Sequence, residues 1–208
     1  MTDVAARSPV TIMRQAIRHL QAADPVMGGI IQRVGAYRIE FRDPGFETLV
    51  RAIVNQQLSG RVAQVIFGRL KDAVPEGLLT PDNILALRPA RMRKLGLSKQ
   101  KTAYIRDLAR HVRDGAIDFA AMDTLPDAEV VERLTTVKGV GVWTAHMFLI
   151  FALRRTNVLP SGDLGVRSAI QKAYGLPVLP KPAEIEKLGA RWHPYCTVAA
   201  WYLWRSLE

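Results

Sequence analysis

Proline placement constrains this chain more than any other single feature. Proline follows a capping-type residue at Ser8-Pro9, Asp24-Pro25, Asp43-Pro44 and Thr80-Pro81, and recurs at Pro89, Pro126, Pro182 and Pro194. At the first position of a helix, proline is pre-set in φ and gives up only an amide that has no partner there; inside a strand it breaks the ladder. Behind these prolines and behind Ser59 and Ser98, apolar residues recur at helical spacing. The sets are Ile12, Ala16, Ile17 and Leu20; Phe46, Leu49, Val50 and Ile53; Val62, Val65, Ile66 and Leu70; Thr102, Ile105, Leu108, Ala109 and Val112; and Val130, Val131 and Leu134. Gly35 and Gly115 are placed to stop helices. Further helices are expected near residues 142–153, 164–174, 182–189 and 194–206. Only residues 37–41 alternate, weakly, as a short extended piece. No alternation is long enough for a sheet, so the chain is expected to be all-α with short connections.

Composition then limits the kind of all-α protein. The 208 residues include 29 Lys plus Arg against 19 Asp plus Glu, a net charge of +10. That length suits one large domain or two small lobes, and 49% apolar residues can fill a core. The single cysteine, Cys196, excludes an intrachain disulfide, a Cys-only zinc site and a four-cysteine iron–sulfur cluster. The longest apolar run, residues 147–153, falls far short of the ~20 residues of a membrane span. Residues 1–18 hold no continuous apolar segment of a secretory signal. The expectation is a soluble intracellular protein without a membrane partner. A pI near 10.2 points to a polyanionic one. Between residues 88 and 106 stand Arg88, Arg91, Arg93, Lys94, Lys99, Lys101 and Arg106, with no acid among them. This strip reads either as a solvated face or as a row of phosphate contacts.

The sharpest local signal is residues 134–145, with Lys138-Gly139-Val140-Gly141 between two apolar helical segments. Glycines two apart permit positive φ and close backbone approach. Amides after the turn lie at a helix N-terminus, where the dipole favours an anion. Lys138 and Thr144 can add side-chain contacts to a phosphate held by the main chain of Gly139, Val140 and Gly141. The other reading is a plain helix–helix connector.

These residues resemble the hairpin of the helix–hairpin–helix DNA glycosylase superfamily, whose Gly/Pro-rich loop ends in an aspartate. Lys138 stands where that family usually has proline. Pro160-Ser161-Gly162-Asp163 resembles the aspartate loop, and Asp163 follows Gly141 by 22 residues. The run from Phe46 through Asn55-Gln56-Gln57-Leu58-Ser59 resembles the helix and loop that carry the family's minor-groove wedge. The three motifs span residues 43–205. The resemblance implies two helical lobes flanking a DNA-binding cleft, one formed by 43–155 and the other by 1–42 with 156–208. Two residues past the second glycine, bifunctional members carry a Schiff-base lysine; here stands Trp143, which implies a monofunctional enzyme. Trp143-Thr144-Ala145 and Arg191-Trp192-His193-Pro194-Tyr195 resemble the alkylation-repair branch typified by bacterial 3-methyladenine DNA glycosylase II, in a compact form without its extra N-terminal domain.

The resemblance assigns roles residue by residue. Asp163 is the catalytic carboxylate, in addition to capping the helix that follows it. Trp143 and Tyr195 are walls of a pocket for a cationic base, with His146, Met147 and Trp192 as further lining. Trp201 and Trp204 read as core aromatics. Gln57 or Leu58 is the wedge, with Ser59 beside it. No cofactor is required, although Na+ or K+ at the hairpin, on the carbonyls of Thr135, Val137 and Val140, is an inherited expectation. The partner is duplex DNA containing alkylated bases, bound by a monomer, in the cytoplasm of a bacterium at its nucleoid or in a eukaryotic nucleus. A glycosylase for deaminated purines or an etheno base would keep Asp163 and differ in the pocket. A lesion-binding module that excises nothing would need no carboxylate at 163.

Overall fold

The computed structural model describes residues 9–208, so Ser8, the expected cap of the first helix, lies outside the described residues. Thirteen α-helices and two short 3-10 turns follow one another, and no strand occurs among the described residues. Residues 37–41, expected as an extended piece, form no strand. Among the described residues no helix is long and apolar enough to cross a membrane. The chain divides into two compact units, Phe41–Arg154 and a second made of the residues before Phe41 with Arg155–Glu208.

The discontinuous unit contains α1 (Pro9–Ala23), α2 (Pro25–Val34), α11 (Leu164–Ala173), α12 (Pro182–Gly189) and α13 (Cys196–Arg205). Leu20, Met27, Ile30, Ile170, Ile185, Trp192 and Tyr202 form much of its core. Asp24, almost fully buried, organises this core. Its Oδ1 accepts the Val26 and Met27 amides at 3.0 and 3.2 Å, capping α2. Its Oδ2 accepts the Trp192 indole N–H at 3.0 Å and the Tyr174 hydroxyl. A buried carboxylate is tolerable when its oxygens are met in this way. Burial and the bond to Asp24 push the Tyr174 hydroxyl above the usual phenol range.

The continuous unit contains α3 (Phe46–Asn55), α4 (Gly60–Asp72), α5 (Pro81–Ala86), α6 (Pro89–Lys94), α7 (Lys99–Arg113), α8 (Phe119–Met122), α9 (Asp127–Thr135) and α10 (Val142–Phe151). The proline at 44 does not itself start α3; Gly45 is the cap and Phe46 the first helical residue. Thr80 and Ser98 cap α5 and α7 as their residue types predict. α7 runs through the middle, packed on α3, α5 and α6. Two cations of the basic strip serve this packing. Arg106 Nη1 donates to the carbonyls of Ile84, Leu85 and Leu87 at the end of α5, the last at 2.7 Å. Lys101 Nζ donates to Val54 O at 2.8 Å, near the end of α3, and burial lowers its pKa. Arg88, Arg91, Arg93, Lys94 and Lys99 stay exposed. α4 is rotated relative to its sequence reading: Ala63, Ile66, Phe67 and Leu70 are buried, whereas Val62 and Val65 face solvent.

Candidate active site

The hairpin joins α9 to α10 and is held from α7. Only Gly139 takes a positive φ, +82°; Gly141 lies at φ −95°, which any residue adopts. Of the two positions at which glycine permits this conformation, only 139 uses it. At Gly139 the need is twofold, since a Cβ would fall 2.0 Å from Cδ2 of the Tyr104 ring. Asp107, on the same face of α7, accepts the Lys138 amide at 2.9 Å, and the Val140 amide goes to Val137 O at 3.0 Å. Neither of these amides offers its proton to a phosphate. Thr144 is only 5% exposed, on the core side of α10. Its predicted side-chain phosphate contact is corrected on that ground, and the main-chain contact predicted for Val140 because its amide is already bonded. The Lys138 side chain, Gly141, Val142 and Trp143 are exposed, and no side chain caps α10.

The loop between α3 and α4 lies against the hairpin. Gln57 takes φ +55°, and Gln57, Leu58 and Ser59 are exposed. Ser59 occupies the cap position of α4 without a side-chain cap bond. Gln56 points the other way, its Nε2 donating to Gly139 O at 2.8 Å. This tether was missed in the sequence reading; two adjacent glutamines at a helix end do not reveal which one turns inward. Gln57, Leu58, Gln100, Lys101, Tyr104 and Gly139 line a depression of about 460 Å³ beside it.

On α10, Trp143, His146 and Met147 share a face at spacings of three and four. Trp143 is 51% exposed, and His146 and Met147 are half-buried. Burial lowers the His146 pKa, against an opposing pull from Asp127, which leaves the imidazole neutral at pH 7.

The carboxylate belongs to the other unit. Asp163 ends the 160–162 turn, its amide bonded to Pro160 O at 2.9 Å. It caps α11: Oδ1 accepts the Val166 amide at 2.8 Å. The same oxygen accepts the indole N–H of Trp204 at 2.8 Å. Gly165 permits this approach, because a Cβ there would lie 3.0 Å from both Asp163 Oδ1 and Trp204 Cδ1. Trp204, expected as a core aromatic, is thus corrected to a half-buried partner of Asp163. Only the packing of α13 on α11 reveals this. Trp201 is core as expected, 4.6 Å from the Tyr37 ring. Trp192 is 0% exposed and bonded to Asp24, so its predicted place in a base pocket is withdrawn. Tyr195 is half-buried beside the His19 ring, centroids 5.4 Å apart.

Known proteins are similar to this chain in sequence and in fold. Residues 50–194 match the family described as HhH-GPD superfamily base excision DNA repair protein. DNA-3-methyladenine glycosylase 1 of Schizosaccharomyces pombe is 34% identical over 203 residues, covering 95% of this chain and 89% of that protein. A structure of S. pombe 3-methyladenine DNA glycosylase (Mag1) in complex with abasic DNA superposes with a TM-score of 0.81 at 35% identity, covering 91% of this chain and 95% of the other. A DNA-3-methyladenine glycosidase from Bacillus halodurans superposes with a TM-score of 0.84 at 33% identity, covering 98% and 91%.

Proposed function

The chain belongs to the HhH-GPD superfamily of base excision DNA repair proteins, and from that premise we propose that it is a monofunctional DNA glycosylase. It hydrolyses the N-glycosidic bond of alkylated purines of the 3-methyladenine and 7-methylguanine type in duplex DNA, after flipping the nucleotide out of the stack. The observation that carries this reading is the Asp163 carboxylate, fixed on Oδ1 by the Val166 amide and the Trp204 indole.

An alkylated purine is a cation and already a good leaving group. As the C1′–N bond breaks, its electron pair stays with the base, which leaves neutral, and positive charge builds on the sugar. A carboxylate whose position is fixed beforehand stabilises that charge without reorganising. Water then adds at C1′ and passes a proton to the Asp163 carboxylate or to solvent. The exposed indole of Trp143 offers a stacking face to the cationic base, and neutral His146 next to it adds no opposing charge. An indole forms no Schiff base with the sugar, so the strand is left intact. Gln57 or Leu58 fills the gap that flipping leaves, at a cost of a few kcal/mol for the flip itself. Lys138 and the uncapped start of α10 take a backbone phosphate. The chemistry requires no cofactor. A Na+ or K+ would be held by the carbonyls of Thr135, Val137 and Val140; that of Val137 keeps a lone pair beyond its bond to Val140.

The test is base release from methylated duplex DNA, wild type beside Asp163→Asn. Wild type should free methylpurines and leave strands uncut until base is added. Asp163→Asn should bind DNA and excise at least about a hundredfold more slowly. Near wild-type excision by Asp163→Asn would remove the carboxylate from the mechanism, and strand scission without added base would refute monofunctional action.

A further inference from the structure

α4 buries one face and leaves an apolar stripe on the other. Val62 is 47% exposed and Val65 49%, and Leu58, in the loop that leads into the helix, is 37% exposed. Ala63, Ile66, Phe67 and Leu70 already hold the helix to the core, so the stripe is not needed for folding. Single exposed apolar residues are ordinary; an apolar row in register with an exposed loop marks an interaction surface. Its surroundings are basic. Arg69 continues the row, Arg61 flanks it, and α4 carries no acid before Asp72. Ile66 of α4 meets the Gly96 turn, where a Cβ would lie 3.0 Å from Ile66 Cγ1 and 3.9 Å from an Arg69 guanidinium nitrogen. That turn directly follows Arg91, Arg93 and Lys94. The partner must therefore be apolar at the centre of contact and anionic at its edges. Duplex DNA opened on its minor-groove side presents deoxyribose faces between two rows of phosphates.

We infer that Leu58, Val62 and Val65 form one docking surface for the minor-groove wall of duplex DNA, with Arg61 and Arg69 on the flanking phosphates. The inference rests on the glycosylase reading. From Val62 through Val65 to Arg69 the row runs along about 10 Å of α4, roughly three base-pair rises. Valine is too short to enter the stack and has no hydrogen-bonding atom, so this contact holds DNA of any sequence.

The experiment compares full-length wild type, Val62→Ser/Val65→Ser, Arg61→Gln and, as a remote control, Val178→Ser, an exposed position in the other unit. Affinity for a fluorescent undamaged duplex is read by anisotropy across a salt series. The double variant should bind about tenfold more weakly, the size expected for losing two partly buried valine contacts. Its log–log salt slope should be unchanged, because no phosphate contact is lost, whereas Arg61→Gln should flatten the slope by about 0.9. Melting temperature, sedimentation and single-turnover excision at saturating enzyme should match wild type, as should every property of Val178→Ser. Wild-type affinity in the double variant overturns the inference. So does an affinity loss that accompanies a changed sedimentation coefficient, which would make a second copy of the chain the occupant. A wild type that binds duplex through this row but releases no methylpurine refutes the glycosylase reading and leaves the docking surface standing; a wild type that binds no duplex refutes both.

Discussion

Asp163 and Trp204 are 41 residues apart in sequence and 2.8 Å apart in space. The indole bond falls on the same oxygen that caps α11, so it fixes the carboxylate plane as well as its position. Under the proposed mechanism Trp204 is accordingly a positioning residue. Trp204→Phe keeps the ring and removes the N–H. Hydrogen bonds to charged groups are worth about 1.5–3 kcal/mol, so single-turnover excision should slow by roughly 10- to 100-fold. DNA affinity should stay within about twofold of wild type, because the carboxylate is not what holds DNA. An equal loss in affinity and rate would show a structural role alone. The place of Asp163, at a loop end and capping α11, was legible in the sequence, since a carboxylate after a Gly/Pro turn and before an apolar helix has few places to be. Trp204 was not, because four tryptophans in one chain look alike until packing separates them.

At the scale of the element, the hairpin is a turn clamped from α7 by Asp107 and Tyr104 and from the α3–α4 loop by Gln56. The two glycines therefore differ sharply. Gly139→Ala puts a methyl into the Tyr104 ring at a positive φ and should cost about 1–3 kcal/mol, with DNA binding lost alongside. Gly141→Ala meets nothing within 4 Å at an ordinary φ, and its melting temperature and DNA affinity should stay close to wild type. Thermal melts and anisotropy of the two variants check this contrast; equal effects would contradict it. The spacing of the glycines identified the turn, but the spacing is symmetric and the structural demand is not. Asp107 illustrates the same limit. It is the lone acid on a basic helix, a pattern that points to no role, yet it is 8% exposed and bonded to the turn.

At the scale of the molecule, the buried polar groups set the response to pH. Burial raises the Tyr37, Tyr174 and Tyr202 hydroxyls above 10.0 and pushes the Cys196 thiol from 9.0 up to about 12. Each folded group keeps a proton that the unfolded chain releases, so unfolding is favoured as pH rises past the unfolded values. The melting temperature should be level up to about pH 9 and fall between 9 and 12. A profile flat to pH 12 would show that these groups ionise without unfolding.

The sequence by itself determined the all-α class, the approximate place of the helices, the hairpin and the Asp163 loop. Each of these is written in residues close along the chain: a proline behind a cap, an apolar period, a pair of glycines. The tertiary structure decided which side of each helix faces inward and which residue types act as structure. It sent Val62 and Val65 outward and Trp192 inward, spent Lys101 and Arg106 on helix ends, and set Trp204 against Asp163. Those outcomes depend on contacts between distant segments, where apolar side chains and hydrogen-bonding groups from several helices compete for the same space, and no local pattern encodes the winner.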